Sequence, residues 1–87
     1  PNPFNPETTI RIAVLDYGDP VKTTITVYNM TGQEIVRLVD EEMQAGVYEV
    51  TWDGRDAQGA SVSSGVYMYT MEVGDHFSES KRMTFVK

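Results

Sequence analysis

The stretch Val21-Lys22-Thr23-Thr24-Ile25-Thr26-Val27-Tyr28 decides the fold class. Val21, Thr23, Ile25 and Val27 fall on one face of an extended chain, and Lys22, Thr24, Thr26 and Tyr28 on the other. All residues from Thr23 to Val27 are β-branched, which suits a pleated, half-buried surface. Asn29-Met30-Thr31-Gly32 follows as a hairpin-type turn, with Gly32 available for positive φ. Upstream, Asp16-Tyr17-Gly18-Asp19-Pro20 has the composition of a turn. Before it, Ile10, Ile12 and Val14 alternate with Thr9, Arg11 and Ala13 as a strand. The opening Pro1-Asn2-Pro3-Phe4-Asn5-Pro6-Glu7 cannot start a helix or a central strand, because its prolines fix φ and lack donors. Residues 1–7 therefore read as a stiff extended lead-in, with Phe4 its only apolar anchor, and 8–87 as the folded domain.

Downstream, residues 33–44 admit two readings. Ile35, Leu38, Val39 and Met43 suit a helical stripe, with Thr31 and Glu34 as a capping box and Gly46 as the stop. Ile35-Val36 and Val39 favour a strand returning from the preceding turn. Further on, Tyr48, Val50 and Trp52 share a face of Gly46–Trp52. Asp53-Gly54-Arg55-Asp56-Ala57-Gln58-Gly59 is a double turn, and Val62 sits in a Ser-rich connection ending at Gly65. Tyr67, Tyr69, Met71 and Val73 share a face of the next strand. Gly74-Asp75 turns the chain into a last strand over His76–Lys87, with Met83 and Phe85 on one face. About seven short strands separated by turn signals predict an all-β antiparallel sandwich.

Composition sets the outer bounds. The chain has 87 residues, one His and no Cys, which removes thiol chemistry, disulfides and the usual zinc sites. Thirteen acidic against 7 basic residues give a net charge of −6, which argues against nucleic-acid binding. No apolar run is long enough to span a membrane, and no cofactor or metal is expected. The sequence begins at Pro1 without an initiator Met, so a processed product or a piece of a longer chain is expected.

Each candidate constellation has a plainer explanation. His76 and Asp75 lie in a turn, and Ser78 and Ser80 are too close along one strand to complete a catalytic triad. Glu41-Glu42 and Asp53/Asp56 are paired carboxylates, but a sandwich of this size has little room for a cleft between them. The oxygens of Asp53 and Asp56 would suit calcium; Asp and Gly are equally the residues that build turns. Tyr48, Trp52, Tyr67 and Tyr69 would make a sugar-stacking platform, yet they share faces with Val50 and Met71, which reads as core. No enzymatic activity is expected. The segment Lys81-Arg82-Met83-Thr84-Phe85-Val86-Lys87 holds three cations and no acid. It reads either as protection of an exposed sheet edge or as a docking element for a partner.

Five pieces in order resemble one family. They are Pro1-Asn2-Pro3-Phe4-Asn5-Pro6 with Thr8-Thr9-Ile10, then Val27–Ile35, Gly46–Gly54, Ser64–Tyr69 and Lys81–Lys87. Together they resemble the C-terminal sorting domain of the type IX secretion system. The middle, Val27 to Tyr69, is equally similar to the Ig-like domain of flagellar hook-capping proteins. The resemblance implies an immunoglobulin-like sandwich and a strand over Ile35–Val39. It implies a non-catalytic module that follows a cargo domain and is recognised by an outer-membrane translocon. A sortase-like peptidase would remove it, after passage through the periplasm to the cell surface or medium. The recognition residues carried over are Lys81, Arg82, Met83, Phe85, Val86 and Lys87, and Gly65 and Tyr67 match a structural Gly-x-Tyr element. The alternative is an accessory carbohydrate-binding or structural Ig-like module.

Overall fold

The structure is a computed structural model that describes residues 6–87. Of the expected lead-in, only Pro6 and Glu7 fall among the described residues; Phe4 lies outside them. Six strands follow: β1 (Thr8–Val14), β2 (Val21–Asn29), β3 (Glu34–Met43), β4 (Gly46–Trp52), β5 (Gly65–Val73) and β6 (Phe77–Phe85). A two-stranded sheet β1-β4 packs on a four-stranded sheet ordered β3-β2-β5-β6, with every pairing antiparallel. This is the all-β sandwich read from the sequence, with six strands where about seven were expected. The Ser-rich connection between β4 and β5 supplies one isolated bridge, Arg55 to Ser61, and no strand. Its backbone groups are used locally instead, as in Asp56 N–H to Ala60 C=O at 2.9 Å and Gly59 N–H to Asp56 C=O at 2.9 Å. The last strand is also shorter than expected, since His76 belongs to the turn and Val86 and Lys87 lie past the pairing.

The ambiguous segment is β3, and its helical look has a physical cause. Ile25 pairs with Val39 and Thr26 with Arg37, so Leu38 is an extra residue; Val27 pairs with Val36 and Tyr28 with Glu34, so Ile35 is another. Each bulge shifts the alternation by one. Both neighbours in Ile35-Val36 and in Leu38-Val39 are therefore half-buried against the core. Two phase shifts in a period-two pattern imitate a spacing of three and four. The turn before β3 belongs to Asn29, not to a helix cap. Its Oδ1 accepts the N–H groups of Thr31 and Gln33, both at 3.0 Å, and the Thr31 hydroxyl at 2.8 Å. Gly32 completes the turn at φ +90°.

The core has two parts. Ile10, Ile12 and Val14 of β1 meet Ile25 of β2 and Met71 and Val73 of β5. At the other end Val27, Trp52, Tyr67 and Phe85 close the sandwich. Trp52 sits edge-on to Tyr67 with centroids 5.0 Å apart, and tilted against Phe85 at 5.1 Å. Its Nε1–H donates to the Arg55 carbonyl at 3.0 Å, and the Tyr67 hydroxyl donates to the Ser63 carbonyl at 2.6 Å. Both aromatic rings are thus buried with their polar atoms satisfied. On the outer face Lys22 bonds Asp40 at 3.0 Å. That bond, with help from Arg37, holds the Asp40 carboxyl below the usual carboxylate range. The depressed value means the pair stabilises above the ordinary carboxylate range and its contribution fades as pH falls through the folded pKa.

Gly54 adopts φ +75° and lies directly under the Phe85 ring; a Cβ built there would overlap the ring atoms. Gly54→Ala combines strained backbone with overpacking and is expected to cost about 2–5 kcal/mol. Gly32→Ala meets no neighbouring atom and is expected to cost only its backbone strain, about 1–2 kcal/mol. Urea unfolding followed by the emission of Trp52 measures both, and equal losses would show that the ring contact contributes nothing.

Candidate functional site

The segment singled out from the sequence is β6 and the two residues after it. The structure divides its residues by face. Arg82 lies opposite Met68 and Ser80 opposite Thr70, on the outer face, where the Ser80 and Thr70 hydroxyls bond at 2.8 Å. Phe77, Glu79 and Lys81 lie on the other side of the strand, beside β1. Lys81 is exposed, and its Nζ is 3.0 Å from Glu79 Oε2. Met83 is half-buried against both parts of the core.

Phe85 departs from the expectation that it is presented to a partner. It is 1% exposed, sealed between Trp52 and the glycine backbone of residue 54. Burying such a ring stabilises the fold by roughly 1.5–3 kcal/mol, so its first role is to anchor the end of β6. Beyond it, Val86 is 65% exposed. The Lys87 N–H donates to Ser64 Oγ at 3.0 Å, which ties the tail to the start of β5. Lys81, Arg82, Val86 and Lys87 are thus surface groups, and Phe85 is the plug that positions them. Of the Gly-x-Tyr pair, Tyr67 is structural through its buried ring and its bond to Ser63. Gly65 has ordinary backbone geometry, and a Cβ there would meet only the Tyr67 ring at ordinary contact distance, so nothing in the fold demands a glycine there.

Between β1 and β6 the sandwich is open. A groove of about 300 Å³ runs there, floored by Ile12, Tyr69, Met71 and Val73, with Phe77 and Leu15 at its mouth. Leu15 and Phe77 are 64% and 41% exposed. Sequence reasoning missed this groove. Its only sequence signal is the pair of large apolar residues just outside the two strands, at Leu15 and Phe77.

The other candidates do not come together. The His76 ring stacks on Tyr17 with centroids 3.9 Å apart and planes 9° from parallel, while the Ser80 hydroxyl is engaged by Thr70. Asp53 accepts the Arg55 N–H, and Asp56 accepts the N–H groups of Gln58 and Ala60. These carboxylates close turns, and among the described residues no three His, Asp or Glu side chains are grouped to hold a metal ion. Trp52 and Tyr67 are buried, Tyr69 packs half-buried beside them and Tyr48 half-buried against the other part of the core, so the four aromatics are split across the core and make no stacking platform.

The bond to Glu79 raises the Lys81 pKa above the usual lysine value, with a smaller contribution from Tyr69. Glu79→Gln is expected to bring it back toward that value in a titration followed by NMR of the side-chain Nζ. An unchanged titration would show that the pair does not form in solution.

No curated protein matches the chain. A family model, that of the FlgD Ig-like domain, matches residues 7–76. The match spans β1 to β5 and stops at the turn before β6. With most of its length covered and a two-sheet sandwich to go with it, the chain belongs to the FlgD Ig-like domain family.

Proposed function

We propose that this domain is a non-catalytic sorting module of the type IX secretion kind, recognised through β6 and its tail. The observation that carries the reading is the arrangement of β6 and the two residues after it. A buried Phe85 fixes a strand whose Lys81 and Arg82 are exposed, and Val86 and Lys87 follow on the surface past the last pairing. Five of the seven cations are engaged in ion pairs: Arg11, Lys22, Arg37, Arg55 and Lys81. Arg82 and Lys87 form none among the described residues. On a body of net charge −6, they mark one end of the molecule for an acidic receptor. A free strand edge adds backbone groups that such a receptor can pair. A translocon of the outer membrane and a sortase-like peptidase are the partners this reading requires, with a cargo domain ahead of β1.

A second reading rests on family membership. An Ig-like domain that matches over β1–β5 also suits a structural or assembly role inside a longer protein, in which β6 merely completes the sheet. The carbohydrate-binding alternative has no support of this kind, because Trp52 and Tyr67 are buried and Tyr48 and Tyr69 pack half-buried on different parts of the core.

Reporter fusions in a bacterium with type IX secretion separate the two readings. Deleting Val86–Lys87 spares Phe85 and is expected to keep the native Trp52 emission while the fusion is retained in the cell envelope. Deleting Thr84–Lys87 is expected to block delivery and shift the emission of Trp52, since the plug is removed as well. Unimpaired surface delivery of both truncations would refute the sorting role and leave the structural one.

A further inference from the structure

The two edges of the four-stranded sheet are treated differently. The β3 edge is blunted three times over. It carries two bulges, its Ile35 carbonyl accepts the Ala57 N–H at 3.1 Å, and Asp40-Glu41-Glu42 crowds it with like charge. Such devices keep a strand from pairing with another chain. The β6 edge has none of them. It pairs with β5 over nine residues without a register shift, and among the described residues its backbone bonds to no other element.

Lys81 and Arg82 would count as edge protection if they stood alone, but the strand as a whole is self-complementary. When two copies of β6 run antiparallel about Ser80, the pairing reads Phe77 with Met83, Ser78 with Arg82, Glu79 with Lys81 and Ser80 with Ser80. Each Glu79 then faces the Lys81 of the other copy, twice by symmetry, and these residues already share one face of the strand. Each exposed Phe77 faces the half-buried Met83 of the other copy. The central pair is two small serines, which lets the backbones close. Shifting the centre by one residue, to Lys81, sets like charge against like charge, so the register is specified.

We propose that β6 pairs with β6 of a second copy of this chain, forming a two-fold symmetric dimer with one continuous eight-stranded sheet. The contact is isologous and therefore closed: it uses the only undefended edge of that sheet and leaves none for a third copy. It does not depend on the sorting role.

Sedimentation equilibrium from roughly 1 µM to about 1 mM tests this. The mass is expected to rise from 9.8 kDa to about twice that and no further. Glu79→Lys and Lys81→Glu each set like charges opposite one another and are expected to weaken the dimer at least roughly tenfold. The double variant, Glu79→Lys with Lys81→Glu, restores opposite charges and is expected to return to within about threefold of the parent. Amide exchange should slow with concentration in β6 and not in β3. A monomer at every concentration, single variants that dimerise as the parent does, a double variant that stays monomeric, or protection appearing in β3 would each overturn the proposal.

Discussion

The contact between the Phe85 ring and the bare backbone of Gly54 is the constraint on which the rest depends. No backbone ladder joins the two sheets; beyond the chain connections and the bond from the Ala57 N–H to the Ile35 carbonyl, side chains hold them together. Phe85 comes from the four-stranded sheet and Gly54 from the turn that leaves the two-stranded one. The ring can lie flat there because position 54 has no Cβ, and the positive φ that the turn needs is one that glycine adopts without strain. Trp52, two residues earlier, leans on the same ring and bonds the Arg55 carbonyl just beyond it. One aromatic contact therefore closes the sandwich, shapes the turn after β4 and fixes where β6 ends. The position of Val86 and Lys87 on the surface follows from it, as does the bond from Lys87 to Ser64.

A small sandwich of two open sheets has edges it cannot bury, and how it guards them says what they are for. The β3 edge bends twice, accepts a bond from the neighbouring loop and carries an acidic run. The Lys22–Asp40–Arg37 cluster lies across β2 and β3 on their outer face; exposed pairs of this sort add little stability each. The β6 edge is regular, unbulged and uncovered by any described residue. Its side chains vary in charge along the strand where those of β3 repeat it. A run of like charge repels strands of the same sign, including a second copy of itself, whereas mixed charge selects among partners by register.

Much of this was legible in the residues. The run Val21–Tyr28 announced a strand, and it is the central one, because β-branched residues at alternate positions suit little else. The faces of β4 and β5 followed from Tyr48, Val50 and Trp52 and from Tyr67 through Val73. The β3 segment resisted because a bulge is a property of two strands together: nothing in Ile35–Val39 alone says that Leu38 has no partner. The burial of Phe85 is hidden in the sequence for a related reason. Sharing a face with Met83 leaves open which side of the strand it takes, and the resemblance carries it over as a recognition residue. What buries it, a glycine thirty-one positions earlier, is visible only once β4 and β6 are brought together. The groove between β1 and β6 was hidden because it is made by the space between two elements.

The same strand edge can serve capture by a receptor or pairing with its own copy, and concentration arbitrates between them. Self-pairing is second order in the domain and fades on dilution, while a receptor acts on whatever monomer is present. A domain held apart from its copies would present Lys81, Arg82 and the regular backbone of β6 uncovered. Domains gathered at one place would bury that edge in a closed pair instead of leaving it open to other strands, which removes the hazard an unguarded edge otherwise carries. The acidic body supports this division. At a net charge of −6, copies repel one another over distances up to the Debye length of about 8–10 Å. An approach along β6 would set Glu79 of each copy against Lys81 of the other and so oppose that repulsion at contact.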